Sequence, residues 1–156
     1  MTDNNKQFNL QRIYLKDASL EVPNAPGIFQ SQWKPSVDVQ VNTQVLPIEN
    51  QANHYEVELQ ITVTAKNGET TAYIAEVKQA GVFSHQGLTE QELKPALGIH
   101  GPTSLFPYVR ETIADLVMKA SFPQFVLQPL NFEAIYQQHL QQVQQAQNEA
   151  DSQPKH

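Results

Sequence analysis

The five histidines have the widest chemical range in this sequence, because an imidazole can ligate a metal or move a proton near neutral pH. None pairs with another histidine or with a carboxylate at a spacing that metal sites use; they are His54, His85, His100, His139 and His156. His85 and His100 share a glycine-rich segment, so an enzyme that uses one of them stays an alternative. We interpret them instead as solvated loop residues.

Motifs for nucleophilic or phosphate chemistry are absent from the sequence. There is no cysteine, which excludes a disulfide framework, a thiolate zinc site and a cysteine nucleophile. The glycine-rich phosphate loops, the HExxH zinc motif and the GxSxG serine motif are also missing. We therefore predict a protein that is not an enzyme and has no catalytic residue, metal or cofactor.

Two carboxylates of the first strand candidate share one face of that strand. Asp17 and Glu21 would lie about 13 Å apart at ~3.3 Å per residue. That distance is too long for the carboxylate pair of a retaining glycosidase and slightly long for an inverting one. With the glutamates of later strands they form either an ordinary solvated sheet face or an acidic docking surface. The residues alone leave both interpretations open.

Length and charge narrow the class of protein further. A chain of 156 residues predicts one domain. The net charge of −6 disfavours nucleic acid, whose phosphates are bound by lysine and arginine, and favours basic partners. No apolar run reaches the ~18 residues of a membrane span, and the polar start carries no secretory signal. We expect a cytoplasmic protein with no nucleic-acid partner and no insertion into a membrane.

Four segments show the alternation of apolar and polar residues that is typical of β-strands. The first runs from Phe8 to Val22, and its apolar residues change parity near Lys16, which predicts a β-bulge. The others cover residues 37–45, 55–64 and 70–80. Asn67-Gly68 predicts a hairpin between the last two. The spacing favours an antiparallel meander or Greek key.

The fourth strand candidate has two different faces. Ile74 and Glu76 share one parity, whereas the other parity holds Ala75, Val77 and Gln79. The second set is flat and half apolar. It is either an oligomer interface or a surface that packs under helices of the same chain, and the sequence favours neither.

Residues 81–105 contain four glycines and two prolines and predict a long loop with at most one helical turn, because proline interrupts a helix. A helix is expected to follow, with Ser104 as its N-cap. A second helix begins at Asn131, another good N-cap residue. Both helices carry apolar residues at helical spacing.

The C-terminal segment is rich in glutamine, with seven glutamines between Gln137 and Gln147, and we expect disorder from about Gln144 onward. The predicted organisation is a flexible arm over residues 1–7, a single domain over 8–143 and a disordered tail over 144–156.

Several segments together resemble the SecB export chaperones of Gram-negative bacteria, in one register over nearly the whole chain. The most specific are the Pro23-Asn24-Ala25-Pro26 turn and Leu105-Phe106-Pro107-Tyr108. Others are Gln11-Arg12-Ile13-Tyr14, Trp33-Lys34-Pro35, Tyr55-Glu56-Val57, Ala75-Glu76-Val77 and Phe122-Pro123-Gln124.

The resemblance implies an α+β fold: a four-stranded antiparallel, Greek-key-like sheet with two helices on one side, assembled as a homotetramer that is a dimer of dimers. It also implies an ATP-independent chaperone that binds unfolded precursor polypeptides and delivers them to the SecA motor. A SecB-like chaperone dedicated to one client, such as an antitoxin, is the alternative.

Carried over by position, the resemblance also implies roles for particular residues. The SecA-binding residues would be Asp17, Glu21, Ile74 and Glu76. Ala75, Val77 and Gln79 would affect the tetramer interface. The peptide groove would be lined by Phe29, Trp33, Phe83, Tyr108, Phe132 and Tyr136, although aromatic residues outside strands more often cap a core. Residues 89–103 match the family poorly.

Overall fold

A computed structural model describes residues 5–152 and contains one four-stranded antiparallel sheet. Its strands are β1 (Gln7–Glu21), β2 (Pro35–Pro47), β3 (His54–Asn67) and β4 (Thr70–Gln86), in the order β1-β4-β3-β2. Strands β2 to β4 follow one another as hairpins, and β1 returns beside β4, which is a Greek-key arrangement. The predicted four-stranded antiparallel sheet is confirmed.

The bulge predicted in the first strand is present. The pairing of β1 with β4 shifts register between Leu15 and Asp17, with a further shift between Leu10 and Arg12. The extra residue at each shift keeps the apolar residues before and after it on one face of the sheet. The predicted hairpin is also confirmed, because Asn67 pairs with Thr70 across the β3–β4 turn.

The prediction of a long loop over residues 81–105 is wrong. Strand β4 continues to Gln86, and helix α1 (Glu90–Pro95) follows after three residues. A π-helical turn, Ala96–His100, joins α1 to α2 (Gly101–Lys119). Pro95 is the last residue of α1, and the wider π-helical turn follows it directly.

The N-cap of this helical segment is Thr89 and not the predicted Ser104. The Thr89 hydroxyl accepts a hydrogen bond from the Glu92 amide at 3.2 Å, and the Glu92 carboxylate accepts one from the Thr89 amide at 3.2 Å. This reciprocal pair is a capping box. Ser104 lies within α2, where its hydroxyl donates to the carbonyl oxygen of His100 at 2.8 Å.

Helix α3 (Phe132–Ser152) begins as predicted, since the Asn131 side chain accepts a hydrogen bond from the Ala134 amide at 3.0 Å. It runs through residues 144–152, where a disordered tail was expected, and that stretch is exposed. Of the expected flexible arm, residues 1–4 lie outside the described residues, and Gln7 already belongs to β1. Within residues 5–152 no helix is long and apolar enough to cross a membrane.

Helix α2 packs on the centre of the sheet and forms the core with β3 and β4. Its inward residues are fully buried, namely Leu105, Val109, Ile113 and Val117. They meet the buried residues of β3, which alternate as the sequence predicted: Val57, Leu59, Ile61, Val63 and Ala65. The helices therefore lie on one side of the sheet and leave the other side open.

The capping box gives a first testable prediction. Thr89→Ala removes the hydroxyl that satisfies the Glu92 amide and should lower the free energy of unfolding by about 1 kcal/mol. Thr89→Ser keeps a capping hydroxyl and should stay close to the parent. Urea unfolding followed by circular dichroism checks both variants, and equal losses for alanine and serine would contradict the cap.

Candidate functional site

The side of the sheet away from α2 is a polar face, which comprises Tyr14, Lys16, Asp17, Ser19, Glu21, Glu56, Glu58, Gln60, Thr62, Ile74, Glu76 and Lys78. The residues predicted to bind SecA lie together on two neighbouring strands of this face. Glu21 pairs with Ile74, and Asp17 pairs with Lys78, which is two residues beyond Glu76 in β4. The structure thus brings Asp17, Glu21, Ile74 and Glu76 onto one surface; their role stays a prediction.

One part of the polar face holds an ion-pair network that the sequence did not reveal. Lys16 Nζ lies 3.0 Å from a carboxylate oxygen of Glu56 and 3.2 Å from one of Glu58. The Tyr14 hydroxyl donates to the second oxygen of Glu56. These side chains of β1 reach β3 across Ala80 of β4, which pairs with both Tyr14 and Glu58. The small alanine side chain leaves room for this bridge.

The network changes the acidity of its members. Burial and the hydrogen bond to Glu56 raise the pKa of Tyr14 to about 12. Burial acts to raise the pKa of Glu56, but the hydrogen bonds from Tyr14 and Lys16 outweigh it and hold that pKa below its ordinary value. The hydrogen bonds to both glutamates raise the pKa of Lys16. The charges of Glu56 and Glu58 are therefore compensated by a neighbouring cation.

Glu76 is held in a different way. One carboxylate oxygen accepts a hydrogen bond from Gln60 Nε2 at 3.0 Å, and the other accepts one from Thr62 Oγ1 at 3.2 Å. Both donors are uncharged. In the part of the chain that the structure describes, Glu76, Asp17 and Glu21 form no ion pair. These three carboxylates of β1 and β4 therefore lie on the polar face outside any ion pair of the described residues, with Lys78 on the same face opposite Asp17.

The residues predicted at a tetramer interface face the opposite way. Ala75, Val77 and Gln79 are buried within the chain itself, beneath α2. Apolar residues of the outer strands remain uncovered on this same side of the sheet, namely Leu10, Leu15, Val37, Val39 and Val45. Tyr108 and Met118 are exposed on α2.

The six aromatic residues predicted to line a peptide groove occupy four separate places. Phe29 and Trp33 both contact Phe122, with ring centroids 5.1 and 5.2 Å away. Phe83 is buried and stacks on Phe8 at 5.3 Å. Tyr108 stands alone on the exposed side of α2. These four residues do not form one surface with the remaining pair, Phe132 and Tyr136.

Phe132 and Tyr136 line a groove of about 810 Å³ between β2, the π-helical turn and α3. Tyr136 lies directly over Gly98, where a Cβ atom would stand 2.7 Å from its ring, so the glycine permits the close approach. We call this the apolar groove; its other apolar walls are Val41, Val45, Tyr55, Leu93, Leu97, Ile135, Leu140 and Val143. The helical spacing of the α3 residues was visible in the sequence, but the β2 wall was not.

The two histidines of the glycine-rich segment lie in different secondary-structure elements. His85 lies in β4 and not in a loop, beside the Tyr55 ring, with centroids 5.9 Å apart. His100 is exposed at the end of the π-helical turn. Among residues 5–152, no group of three or more histidine, aspartate or glutamate side chains is arranged to hold a metal ion.

Comparison with known proteins gives a consistent result over most of the chain. Residues 1–143 match the family model described as preprotein translocase subunit SecB. A relative from Alcanivorax borkumensis, named protein-export protein SecB, is 51% identical over 92% of this chain and 93% of its own length. One of the same name from Alkalilimnicola ehrlichii is 47% identical over 95% of this chain and 78% of its own length.

Among solved structures, a SecB-like chaperone from Mycobacterium tuberculosis, in complex with a peptide from an antitoxin, shares the fold with a TM-score of 0.65. It is 23% identical to this chain, and the similarity covers 79% of this chain and 90% of that one. The family match, the identity to the protein-export proteins and the shared fold lead to one conclusion: this chain belongs to the SecB family.

Proposed function

We propose that this protein is a cytoplasmic, ATP-independent chaperone that binds unfolded precursor polypeptides, keeps them competent for translocation and delivers them to the SecA motor. The observation that carries the proposal is the match of residues 1–143 to the SecB family. Two separate surfaces supply a physical basis for it. One is the apolar groove on the helix side, and the other is the acidic part of the polar face.

The apolar groove fits an extended, apolar stretch of an unfolded client. Each client side chain that leaves water there contributes about 1.5 to 3 kcal/mol, before the cost of ordering the chain. The walls are aliphatic and aromatic and the rim is polar, with Gln138 and Gln142 at its edge. Binding by such a surface depends on apolar area and not on a particular sequence. Several grooves in one assembly would add avidity.

A substitution in α3 tests the groove. Leu140→Gln places an amide in the apolar wall and should weaken the suppression of aggregation of a slow-folding exported protein by about threefold, because apolar contact is lost. Gln141→Ala, one residue along the same helix and outside the groove, should leave suppression unchanged. Equal behaviour of the two variants would contradict client binding in this groove.

The acidic part of the polar face is the proposed docking surface for SecA. Asp17, Glu21 and Glu76 present three carboxylates outside any ion pair of residues 5–152, and Ile74 provides an apolar contact opposite Glu21. A surface of this kind favours a partner that presents basic residues around an apolar centre. It lies on the other side of the sheet from the apolar groove. A loaded chaperone would therefore keep its docking surface free.

Charge reversal tests the separation of the two surfaces. Glu76→Lys should weaken the binding of purified SecA by about tenfold, or about 1.4 kcal/mol, since it replaces attraction by repulsion. Aggregation suppression should stay at the parental level. A parallel loss of SecA binding and of client binding in the same variant would refute the separation.

Self-association as a homotetramer, a dimer of dimers, is also part of the proposal. The uncovered aliphatic residues of β1 and β2 form apolar margins on the helix side of each chain, and apolar surface of this kind is suited to an interface between copies. Ala75, Val77 and Gln79 are buried under α2. We therefore propose that these three residues affect assembly through the position of α2 and not by direct contact.

Two leucines on opposite sides of the sheet test this interface. Leu15 of β1 is 50% exposed on the helix side, and Leu46 of β2 is 48% exposed on the polar side. Leu15→Asp should shift the mass in light scattering from a tetramer toward smaller species, because a charge would be buried between copies. Leu46→Asp should keep the parental mass. A tetramer of unchanged mass in Leu15→Asp would contradict the interface.

The range of clients separates a general export chaperone from one dedicated to a single client. If this protein is a general chaperone, a tagged form of it should capture several unfolded precursors from cytosol that contains proteins not yet exported. A dedicated chaperone would enrich one partner. Mass spectrometry of the captured proteins distinguishes the two outcomes.

A further inference from the structure

Glu76 is the carboxylate of the polar face that is oriented without being neutralised. Both of its oxygens accept hydrogen bonds from neutral side chains, at 3.0 Å from Gln60 and 3.2 Å from Thr62. Glu56 and Glu58 instead contact the ammonium group of Lys16. The face thus contains two classes of glutamate, one paired with a cation and one held by uncharged donors.

The register of the sheet explains why these two donors reach Glu76. Thr62 of β3 pairs directly with Glu76 of β4, and Gln60 pairs with Lys78, two residues along. Directly opposed and diagonal residues on one face of an antiparallel pair are within side-chain reach of each other. Thr62 supplies the short donor and Gln60 the long one. All three side chains are partly buried, so water competes less for these hydrogen bonds than it would at a fully exposed site.

Two hydrogen bonds do not occupy all the acceptor positions of an ionised carboxylate. Its two oxygens offer about four acceptor positions, and two of them are used by Gln60 and Thr62. The remaining positions and the full negative charge stay available. A glutamate whose rotamer is already fixed loses less conformational freedom when a partner binds, and pre-ordering of this kind increases affinity.

We propose that Gln60 and Thr62 are positioning residues, which fix the Glu76 carboxylate so that it receives a lysine or arginine side chain of the protein that docks on the polar face. The inference rests on the proposed docking of SecA and specifies how that surface recognises it. Asp17 and Glu21 differ from Glu76, because in residues 5–152 no side-chain hydrogen bond holds either carboxylate. They supply attraction, whereas Glu76 supplies a directed contact.

Titration calorimetry with purified SecA at fixed ionic strength tests the inference. Thr62→Val keeps the shape of a β-branched residue and removes the donor, and Gln60→Leu removes the other donor. Each variant should weaken SecA binding by about threefold and the two together by about tenfold, since the carboxylate becomes free to rotate. Thr62→Ser keeps a hydroxyl and should bind close to the parent.

Two further comparisons separate positioning from a structural effect. Thr64→Val makes the same change two residues along β3, opposite Ile74, and should bind SecA like the parent. In a Glu76→Gln background, Thr62→Val and Gln60→Leu should cause no additional loss, because the charge that they orient is gone. Loss of a donor to Glu76 should lower the urea unfolding midpoint, so each titration is run where circular dichroism shows that the variant is fully folded. The mass in light scattering should be the same for all the variants.

The outcomes distinguish this inference from the docking proposal. If Glu76→Gln weakens SecA binding while Thr62→Val and Gln60→Leu bind like the parent, the positioning role alone is overturned. It is likewise overturned if the losses of Thr62→Val and Gln60→Leu persist undiminished in the Glu76→Gln background. If Glu76→Gln binds SecA as tightly as the parent, the docking surface is wrong and the positioning role falls with it.

Discussion

A single helix covers about two strands of a sheet, because a helix is about 10–12 Å wide with its side chains and strands lie ~4.8 Å apart. Helix α2 lies over β3 and β4 of the four-stranded sheet, and the outer strands β1 and β2 extend past it. Val63 and Val39 pair across β3 and β2 on the same face, yet Val63 is 0% exposed and Val39 is 37% exposed. The apolar margins of the chain follow from this mismatch in width.

No helix of residues 5–152 covers the other side of the sheet, and its side chains cover one another instead. Ala80 is fully buried although it belongs to this side, because Tyr14 and Lys16 extend over it to Glu56 and Glu58. A buried or half-buried carboxylate is stable when it is paired or hydrogen-bonded. The polar face meets this requirement with a lysine in one region and with neutral donors at Glu76 in another, so its charge is unevenly distributed.

The sequence predicted the strands and their faces well, because a period of two residues is a direct consequence of the pleat. Even the change of parity near Lys16 indicated the bulge that the structure contains. The helical segment was predicted poorly. Proline and glycine were interpreted as loop signals, but Pro95 closes α1, and Pro102 lies in the first turn of α2, where a missing amide costs little.

The parts of the site that the sequence did not predict depend on register and on packing between distant segments. The register of β1, β4 and β3 decides which side chains of β3 reach Lys16. The alternation of residues within each strand does not specify that register. Gly81 was likewise interpreted as the start of a loop. In β4 a Cβ atom there would stand 3.0 Å from Phe83 and 3.1 Å from Leu105, so the glycine allows the close approach of the core.

The two proposed surfaces share no side chain, because the acidic part of the polar face lies on β1 and β4 and the strand residues of the apolar groove lie on β2 and β3. In β4, Ile74 and Glu76 point away from α2. Ala75 and Val77 alternate with them along the strand and lie beneath α2. A partner bound to one surface changes the affinity of the other surface for its ligand only if the chain has two conformational states and the partner binds one of them more tightly. Under the proposed function, client release on SecA docking would therefore require a movement that extends from β1 and β4 to the walls of the groove in β2 and α3, or direct competition by SecA for the client chain.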